Sequence, residues 1–511
     1  MVTTRLNEAD ALAHRAETRR IQALQTLGSD RQSTLGQFFT PERAAALIVG
    51  LPFLPEIGRI RVLDPGAGSG SLSAAISARI LRERPMLDLE IVAVELDEAV
   101  TVFLKETLRD VEQTFAAVGS KATTRVVVGD YIELGTSLFG HADALEAPFD
   151  LVVMNPPYRK LAVSSAHRRA LALNGAECPN LYAAFLALGA EAIVPGGQLV
   201  AITPRSFANG PYFGQFRRYL LDRIALNHLH VFESRSTVFS DTGVLQENII
   251  FSGTRDGRRS EVALTASLGH TDTPSERIVS YEDVIRPGDV DRFIRILSGR
   301  SDTSVAETMA ALPATLVDLG VQASTGRVVD FRSRECLTTA GDTGAVPLIY
   351  PGNLRGGVVQ WPRDIRKAQG FAMRSEADSK LLLPRGYYVV IKRFSAKEER
   401  RRIVAAVWDP LNIDLPIAFE NHLNVLHARG EGLDRDLAVG LSYWLNSSLV
   451  DVFFRTFSGH TQVNATDLRS LRFPKLDDLR AVGENREPQL PTQKEIDQLM
   501  SEMLGLGVVA A

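Results

Sequence analysis

Near the N-terminus, apolar residues recur at helical spacing. Ala11, Leu12, Ile21, Leu24 and Leu27 interleave with charged residues across 5–28, and Gly28 is a natural stop. A turn-rich stretch from Ser29 to Gly36 leads to Gln37-Phe38-Phe39-Thr40-Pro41, and Glu42 to Val49 again reads as helix. From Arg61 the period changes to short, almost wholly apolar runs separated by helical stretches. Arg61-Val62-Leu63 is a strand, Asp64 to Gly70 a glycine-rich turn, and Ser71 to Arg84 a helix. The strand of residues 91–94 ends at Glu95 and is followed by a helix from Glu98 to Val118. The strand of residues 125–128 ends at Gly129-Asp130, and the strand of residues 150–154 ends at Asn155-Pro156-Pro157-Tyr158. A helix over 180–193 and strands over 198–203 and 243–252 continue the series. Apolar strands alternating with helices predict an α/β fold whose parallel sheet is covered on both faces.

Residues 254–310 are mixed and charged and read as a connection. From about Leu316 the chain changes to short β-type runs with turn signals, at 327–329, 347–350, 387–391 and 403–408. The expected organisation is an N-terminal helical segment (1–36), an α/β domain (37–310), a β-rich α+β domain (311–475), and a polar tail with a terminal helix (476–511). Of the chain's 511 residues, 45% are hydrophobic and 23% charged, which suits two or three folded domains and excludes a largely disordered chain. The cysteines, Cys178 and Cys336, cannot build a disulfide scaffold or a CxxC metal site. The N-terminus lacks a signal-peptide pattern and no run of about 18 apolar residues occurs, so a cytoplasmic protein is expected. The net charge of −4 divides unevenly: residues 321–475 carry +6 and the remainder −10. A basic segment joined to an acidic body is the pattern of a polyanion-gripping module beside a catalytic domain.

Asp64, Glu95, Asp130 and Asn155 each end a successive strand, and open α/β sheets bind ligands at that edge. The turn carries Gly66, Ala67, Gly68 and Gly70 in a G-x-G-x-G pattern, unlike the G-x-G-x-x-G of dinucleotide binders and without the Lys-Ser/Thr of a phosphate-binding loop. Bare glycines let the backbone approach a ligand closely. A small zwitterion fits such a turn, Glu95 can accept from ribose hydroxyls, and Asp130 can accept from an adenine amino group. Together they point to S-adenosylmethionine (SAM) rather than NAD. At Asn155-Pro156-Pro157-Tyr158 the consecutive prolines fix the backbone. The Asn155 side-chain oxygen and the Pro156 carbonyl can then hold both hydrogens of a conjugated amine, pull its nitrogen toward tetrahedral geometry and free its lone pair. Tyr158 would stack on the ring being methylated.

These residues, in this order, resemble the gamma class of DNA adenine-N6 methyltransferases, the TaqI type. The resemblance implies a SAM-dependent, Rossmann-like methyltransferase sheet followed by a β-rich DNA target-recognition domain. It also implies that Thr40, beside Pro41, meets the SAM carboxylate, and that Phe39, Tyr131 and Phe185 wall the cofactor pocket. Phe239 would pack on a flipped adenine. Residues 232–235, 244–248 and 392–400 most resemble the PstI/BsuBI modification methyltransferases, which implies the site CTGCAG. Double-stranded DNA is then the substrate, Lys392, Arg393, Lys397, Arg400 and Arg401 form a phosphate clamp, and a separate restriction endonuclease acts at the same site. The expected state is a monomer or weak dimer, cytoplasmic and associated with the nucleoid through DNA. A protein-glutamine methyltransferase also uses Asn-Pro-Pro-Tyr but needs neither the Phe-Thr-Pro segment nor a basic β-rich domain. A bifunctional restriction enzyme would need a nuclease domain, for which the 36 residues before Gln37 are too few.

Overall fold

Short apolar runs bounded by helices assemble into one large sheet in the first half of the chain. The computed structural model describes residues 2–35, 39–136, 145–232, 248–267, 275–296, 300–395, 399–410, 413–457 and 462–505. Two compact units result, Met1–Ser298 and Gly299–Ala511.

The first unit runs α1 (Val2–Leu35), α2 (Glu42–Gly50), β1 (Gly58–Pro65), α3 (Ser71–Glu83), β2 (Leu87–Glu95), α4 (Glu98–Ala117), β3 (Ala122–Val128), α5 (Tyr131–Thr136) and β4 (Phe149–Met154). It continues with α6 (Ala166–Leu173), α7 (Leu181–Ala192), β5 (Ile193–Pro204), α8 (Ser206–Asn209), α9 (Gly214–Arg223), β6 (Ile224–Phe232), β7 (Asn248–Arg255), β8 (Glu261–Ser267) and β9 (Ser275–Ser280). The sheet order is β3-β2-β1-β4-β5-β7-β6-β8-β9. From β3 to β5 every pairing is parallel, whereas β7 is antiparallel to both β5 and β6. The chain leaves β1 toward β2 on one side and later places β4 on the other, so the order reverses between β1 and β4. Ligands bind at the carboxyl ends of strands flanking such a switch.

Alternation along the strands serves both faces. Val62, Leu151, Val153, Val200 and Ile202 share a buried core with Ala9, Leu12 and Ala16 of α1 and with residues of α2, α3 and α4. On the other face α7 lies so close that a Cβ at Gly189 would come within 2.8 Å of the Met154 Cε and 3.2 Å of a Leu199 methyl.

The expected α/β architecture is present, with several corrections. The first helix does not stop at Gly28 but continues to Leu35. An interior glycine costs only about 1 kcal/mol, and this helix is held by its neighbours: Asp110 on α4 accepts from Arg15 (3.0 Å) and Arg19 (2.6 Å). Residues 254–310 are not a mere connection, since β8 and β9 extend the sheet and a helix spans Arg300–Ala311. Strand β6 carries His228 and His230, polar residues that blurred its pattern; both rings meet the Thr265 hydroxyl of β8, at 2.7 and 2.8 Å. Burial depresses both imidazole pKa values, that of His230 to about 4. The strand expected over 243–252 begins at Asn248, and 243–247 lie outside the described residues.

Among its described residues the second unit has a six-stranded and a five-stranded sheet. One apolar cluster, including Ile349, Tyr388, Val390 and Phe419, draws on strands of both, and another, including Val346, Leu348 and Phe371, belongs to the five-stranded sheet. Strands Ala345–Ile349, Tyr388–Lys392 and Ala405–Trp408 fall on the anticipated runs, while 327–329 contribute only a bridge from Val328 to Glu420. The supposed polar linker after 475 begins with a helix, Leu476–Gly483, packed on helix Arg435–Leu445. The two approach backbone to backbone, because a Cβ at Gly440 would overlap the Leu479 carbonyl and one at Gly483 the Asp436 carbonyl. Gly440→Ala is therefore expected to destabilise this unit by about 2–3 kcal/mol through overpacking, read as a lower denaturant midpoint in equilibrium unfolding. Among the described residues no single helix is long and apolar enough to cross a membrane.

Candidate active site

The turn after β1 is pinned on three sides. Gly66 and Ala67 both donate their N–H to the Val94 carbonyl at 2.9 Å, and Gly68 donates to Oε2 of Glu95 at 2.8 Å. The Ser73 N–H (3.1 Å) and hydroxyl (2.7 Å) donate to Oδ2 of Asp64, holding the first turn of α3 against the end of β1. Gly66, Gly68 and Gly70 all have positive φ, and a Cβ at Gly68 would stand 2.8 Å from the Phe39 ring. Glu95 ends β2, 2% exposed, and its Oε1 accepts from the Asp97 N–H at 2.8 Å. Two backbone bonds thus fix this carboxylate, while burial raises its pKa. Asp130 begins the turn after β3: its Oδ1 accepts from the Ile132 N–H (2.7 Å), and its Oδ2 lies 3.8 Å from Nε2 of His167.

Across the switch, Asn155 follows β4. Its amide nitrogen donates to the Thr40 hydroxyl at 3.0 Å, and its Oδ1 accepts from the Tyr158 hydroxyl at 3.1 Å. Thr40 is buried just before α2, where Pro41 is the N-cap and its carbonyl accepts from Ala45 N–H. The Tyr158 ring meets Tyr182 of α7 edge-on, with centroids 6.2 Å apart, and burial keeps its hydroxyl protonated.

Phe39, Gly66, Gly68, Glu95, Asp130, Tyr131, Asn155, Pro157 and Phe185 line a single cavity of about 320 Å³. The Tyr131 and Phe185 rings pack 4.8 Å apart. Helix α1 supports one wall, because Ala23 and Leu27 cluster with Phe39 and Val100. Asp64, Ala67 and Gly70 stand behind the lining and shape the turn, and Thr40 acts on Asn155 rather than on the cavity surface. Phe239 and Lys397 lie outside the described residues. The lining also includes Lys160, Leu161, Ser165 and His167, which the sequence reading missed. The available signal was position alone, since they follow directly on the Asn-Pro-Pro-Tyr turn.

The basic segment of the second unit is partly committed to internal bonds. Lys392 pairs with Glu399 at 3.0 Å, Arg393 donates to the Asn421 carbonyl at 3.1 Å, and Arg401 donates to the Asn446 carbonyl. Arg400 is exposed.

The cavity's size and donor set test what it can hold. Aromatic walls accept a purine, carboxylates wait at the ends of β2 and β3, and no side chain fits on the glycine turn. The hydroxyl of Tyr131, which lines the cavity, is buried without a partner, as a group awaiting a polar ligand would be. S-adenosylmethionine fits, and the fold and site place the chain among the SAM-dependent methyltransferases. Residues 102–239 match the family model described as Eco57I restriction-modification methylase. The chain is 39% identical over 487 residues to the type II methyltransferase M.BsuBI of Bacillus subtilis, covering 93% of this chain and 94% of the relative. It is 36% identical over 485 residues to the type II methyltransferase M.PstI of Providencia stuartii, covering 94% and 95%. The chain belongs to this family of type II methyltransferases of restriction-modification systems. Its fold is shared with the type IIL restriction-modification enzyme MmeI, solved in complex with DNA: TM-score 0.54 and 12% identity over 98% of this chain and 75% of that one.

Asp64 gives the site a pH signature. Burial pushes its carboxyl up to about 7, against the opposing Ser73 hydrogen bonds. A raised carboxyl pKa contributes stability that is full below its unfolded value of 3.8 and is lost as pH rises through about 7. In thermal melts of the cofactor-free protein, stability should therefore decline between about pH 4 and 7. Asp64→Asn, isosteric but unable to ionise, is expected to flatten that slope; an unchanged slope would remove Asp64 as its source.

Proposed function

We propose that this methyltransferase transfers the SAM methyl group to N6 of an adenine flipped out of duplex DNA within one short sequence, CTGCAG being the first to test. The reading rests on the state of Asn155. Its amide is oriented by Thr40, so Oδ1 rather than Nδ2 faces Tyr158 and serves as an acceptor. That oxygen and the Pro156 carbonyl hold the two hydrogens of the adenine amine and free its lone pair, and Tyr158 stacks on the base. Bound SAM supplies an electrophilic methyl group. Glu95 holds the ribose hydroxyls, Asp130 the cofactor's adenine amino group, and Phe39, Tyr131 and Phe185 its ring. Thr40 acts on its amino-acid end indirectly, by orienting Asn155, and Asp64 does so by holding the glycine turn against the first turn of α3. Phe239 covers the other side of the flipped base. Adenine N6 is paired inside a duplex, so the base must leave the stack at a cost of a few kcal/mol; stacking on aromatic side chains returns about 1–3 kcal/mol per base.

The β-rich region from 311 to 475 reads the target sequence, with exposed Arg400 and neighbouring basic residues contacting phosphates. A separate endonuclease cleaving the same unmodified site completes the system, and the methyltransferase acts as a monomer or weak dimer. The test is transfer of labelled methyl groups to unmethylated genomic DNA, followed by mapping of modified bases. N6-methyladenine at one position of one sequence is expected. Label in cytosine, or in protein and not DNA, would overturn the proposal.

A further inference from the structure

A concavity separate from the cofactor cavity carries a side chain that this chemistry leaves unused. After α8 the chain makes a short 3-10 turn, Pro211–Phe213, at the carboxyl edge of the sheet. Tyr212 on this turn is 85% exposed; among the described residues of the first unit only Leu173 is a more exposed large apolar side chain. A lone exposed aromatic is ordinary, but this one has a rigid mount. Its neighbour Phe213 stacks on Tyr182, with centroids 5.7 Å apart and planes 16° from parallel, and Tyr182 meets Tyr158 edge-on. Beneath the turn the fully buried Arg217 donates to the carbonyls of Phe207 (3.0 Å), Gly210 (2.8 Å) and Asp291 (2.7 Å), and its guanidinium lies over the Phe293 ring.

The mount stands next to the site. Tyr212 shares a concavity with Arg168 and Arg218, and Arg168 follows His167, which lines the cofactor cavity. Glu177 and Asp291 line the same concavity; Arg168 is paired with Glu177 at 3.8 Å, whereas Arg218 is anchored by the Val290 carbonyl at 3.0 Å, which holds a guanidinium beside the tyrosine. An aromatic side chain fixed on a rigid turn, with the Arg218 guanidinium in the same concavity and mounted through Phe213 and Tyr182 on Tyr158, suits a stacked nucleic acid base with a phosphate beside it.

We propose that Tyr212 stacks into the base step left open when the target adenine leaves the duplex; this rests on the adenine-methylation reading above. The test uses the full chain with Tyr212→Ala and Tyr212→Phe. Substrates are a matched duplex containing the unmethylated target site and the same duplex with an abasic position opposite the target adenine. SAM affinity, measured by calorimetry, controls for folding and should stay at the wild-type value. On the matched duplex, Tyr212→Ala is expected to reduce single-turnover methylation about tenfold to a hundredfold, and Tyr212→Phe to keep most of the rate. On the abasic duplex, where the opening is already made, the alanine deficit should shrink to a few-fold. Wild-type rates for Tyr212→Ala on the matched duplex, or an equal loss on both duplexes, would overturn the stacking role while leaving adenine methylation intact. Failure of the wild type to methylate either duplex would instead overturn the parent reading, and this inference with it.

Discussion

Asn155→Ala is expected to lower methyl transfer to DNA by about a thousandfold, with SAM affinity changed only a few-fold. Removing one preorganised group aimed at the reacting centre typically costs a hundredfold to a thousandfold, and here the lost oxygen is one of two proposed acceptors for the amine. Asn155 is one of several residues that line the cavity, and its truncation leaves Glu95, Asp130 and the aromatic walls in place. Rapid-quench kinetics beside equilibrium SAM binding separates the two effects. Thr40→Val is a companion test: it keeps the bulk near Asn155 but removes the partner that orients its amide, so kcat should fall more than SAM affinity. Near-normal turnover by Asn155→Ala would remove that residue from the chemistry.

Glu95→Gln should have the second largest effect, and a different one. Each Glu95 oxygen accepts a backbone N–H, from Gly68 on one side and Asp97 on the other, both at 2.8 Å. Glutamine has one oxygen, so one of those N–H groups would face an NH₂ in a buried setting, and the negative charge proposed to face the ribose hydroxyls would be lost. Hydrogen bonds to charged groups are worth about 1.5–3 kcal/mol, which corresponds to a loss of SAM affinity between about tenfold and a hundredfold. Calorimetric titration reads this directly. An unchanged affinity would show that Glu95 acts only as a brace for the turn.

The sheet's first five strands and their polar ends were legible because, the half-exposed edge strand β3 apart, parallel strands buried on both faces leave apolar runs that break where a ligand is met. The order Asp64, Glu95, Asp130, Asn155 therefore carried the location of the cavity. Strand β6 was hidden by its histidines, which are satisfied by a hydroxyl on β8, a partner more than 30 residues away. The extent of α1 was hidden for the opposite reason: Gly28 is a genuine local stop signal, and long-range pairing with Asp110 supports the helix that overrides it. In the basic segment, charge was visible but its use was not, since Lys392, Arg393 and Arg401 spend bonds on Glu399 and on two backbone carbonyls. Sequence shows that a guanidinium is present; only neighbours distant in the chain decide whether it faces inward.

The bond between Tyr158 and Asn155 bears on turnover. On the proposed reading, incoming substrate displaces the Tyr158 hydroxyl from Oδ1 of Asn155, because two N–H groups must occupy two acceptors. Once methyl transfer has released the thioether and the methylated nitrogen has given one proton to solvent, the product retains a single N–H and satisfies only one of them. The phenol is already attached three residues along and can return to the vacated oxygen, so product is ejected by an internal competitor. The same rivalry disfavours re-entry of a strand that already bears the mark.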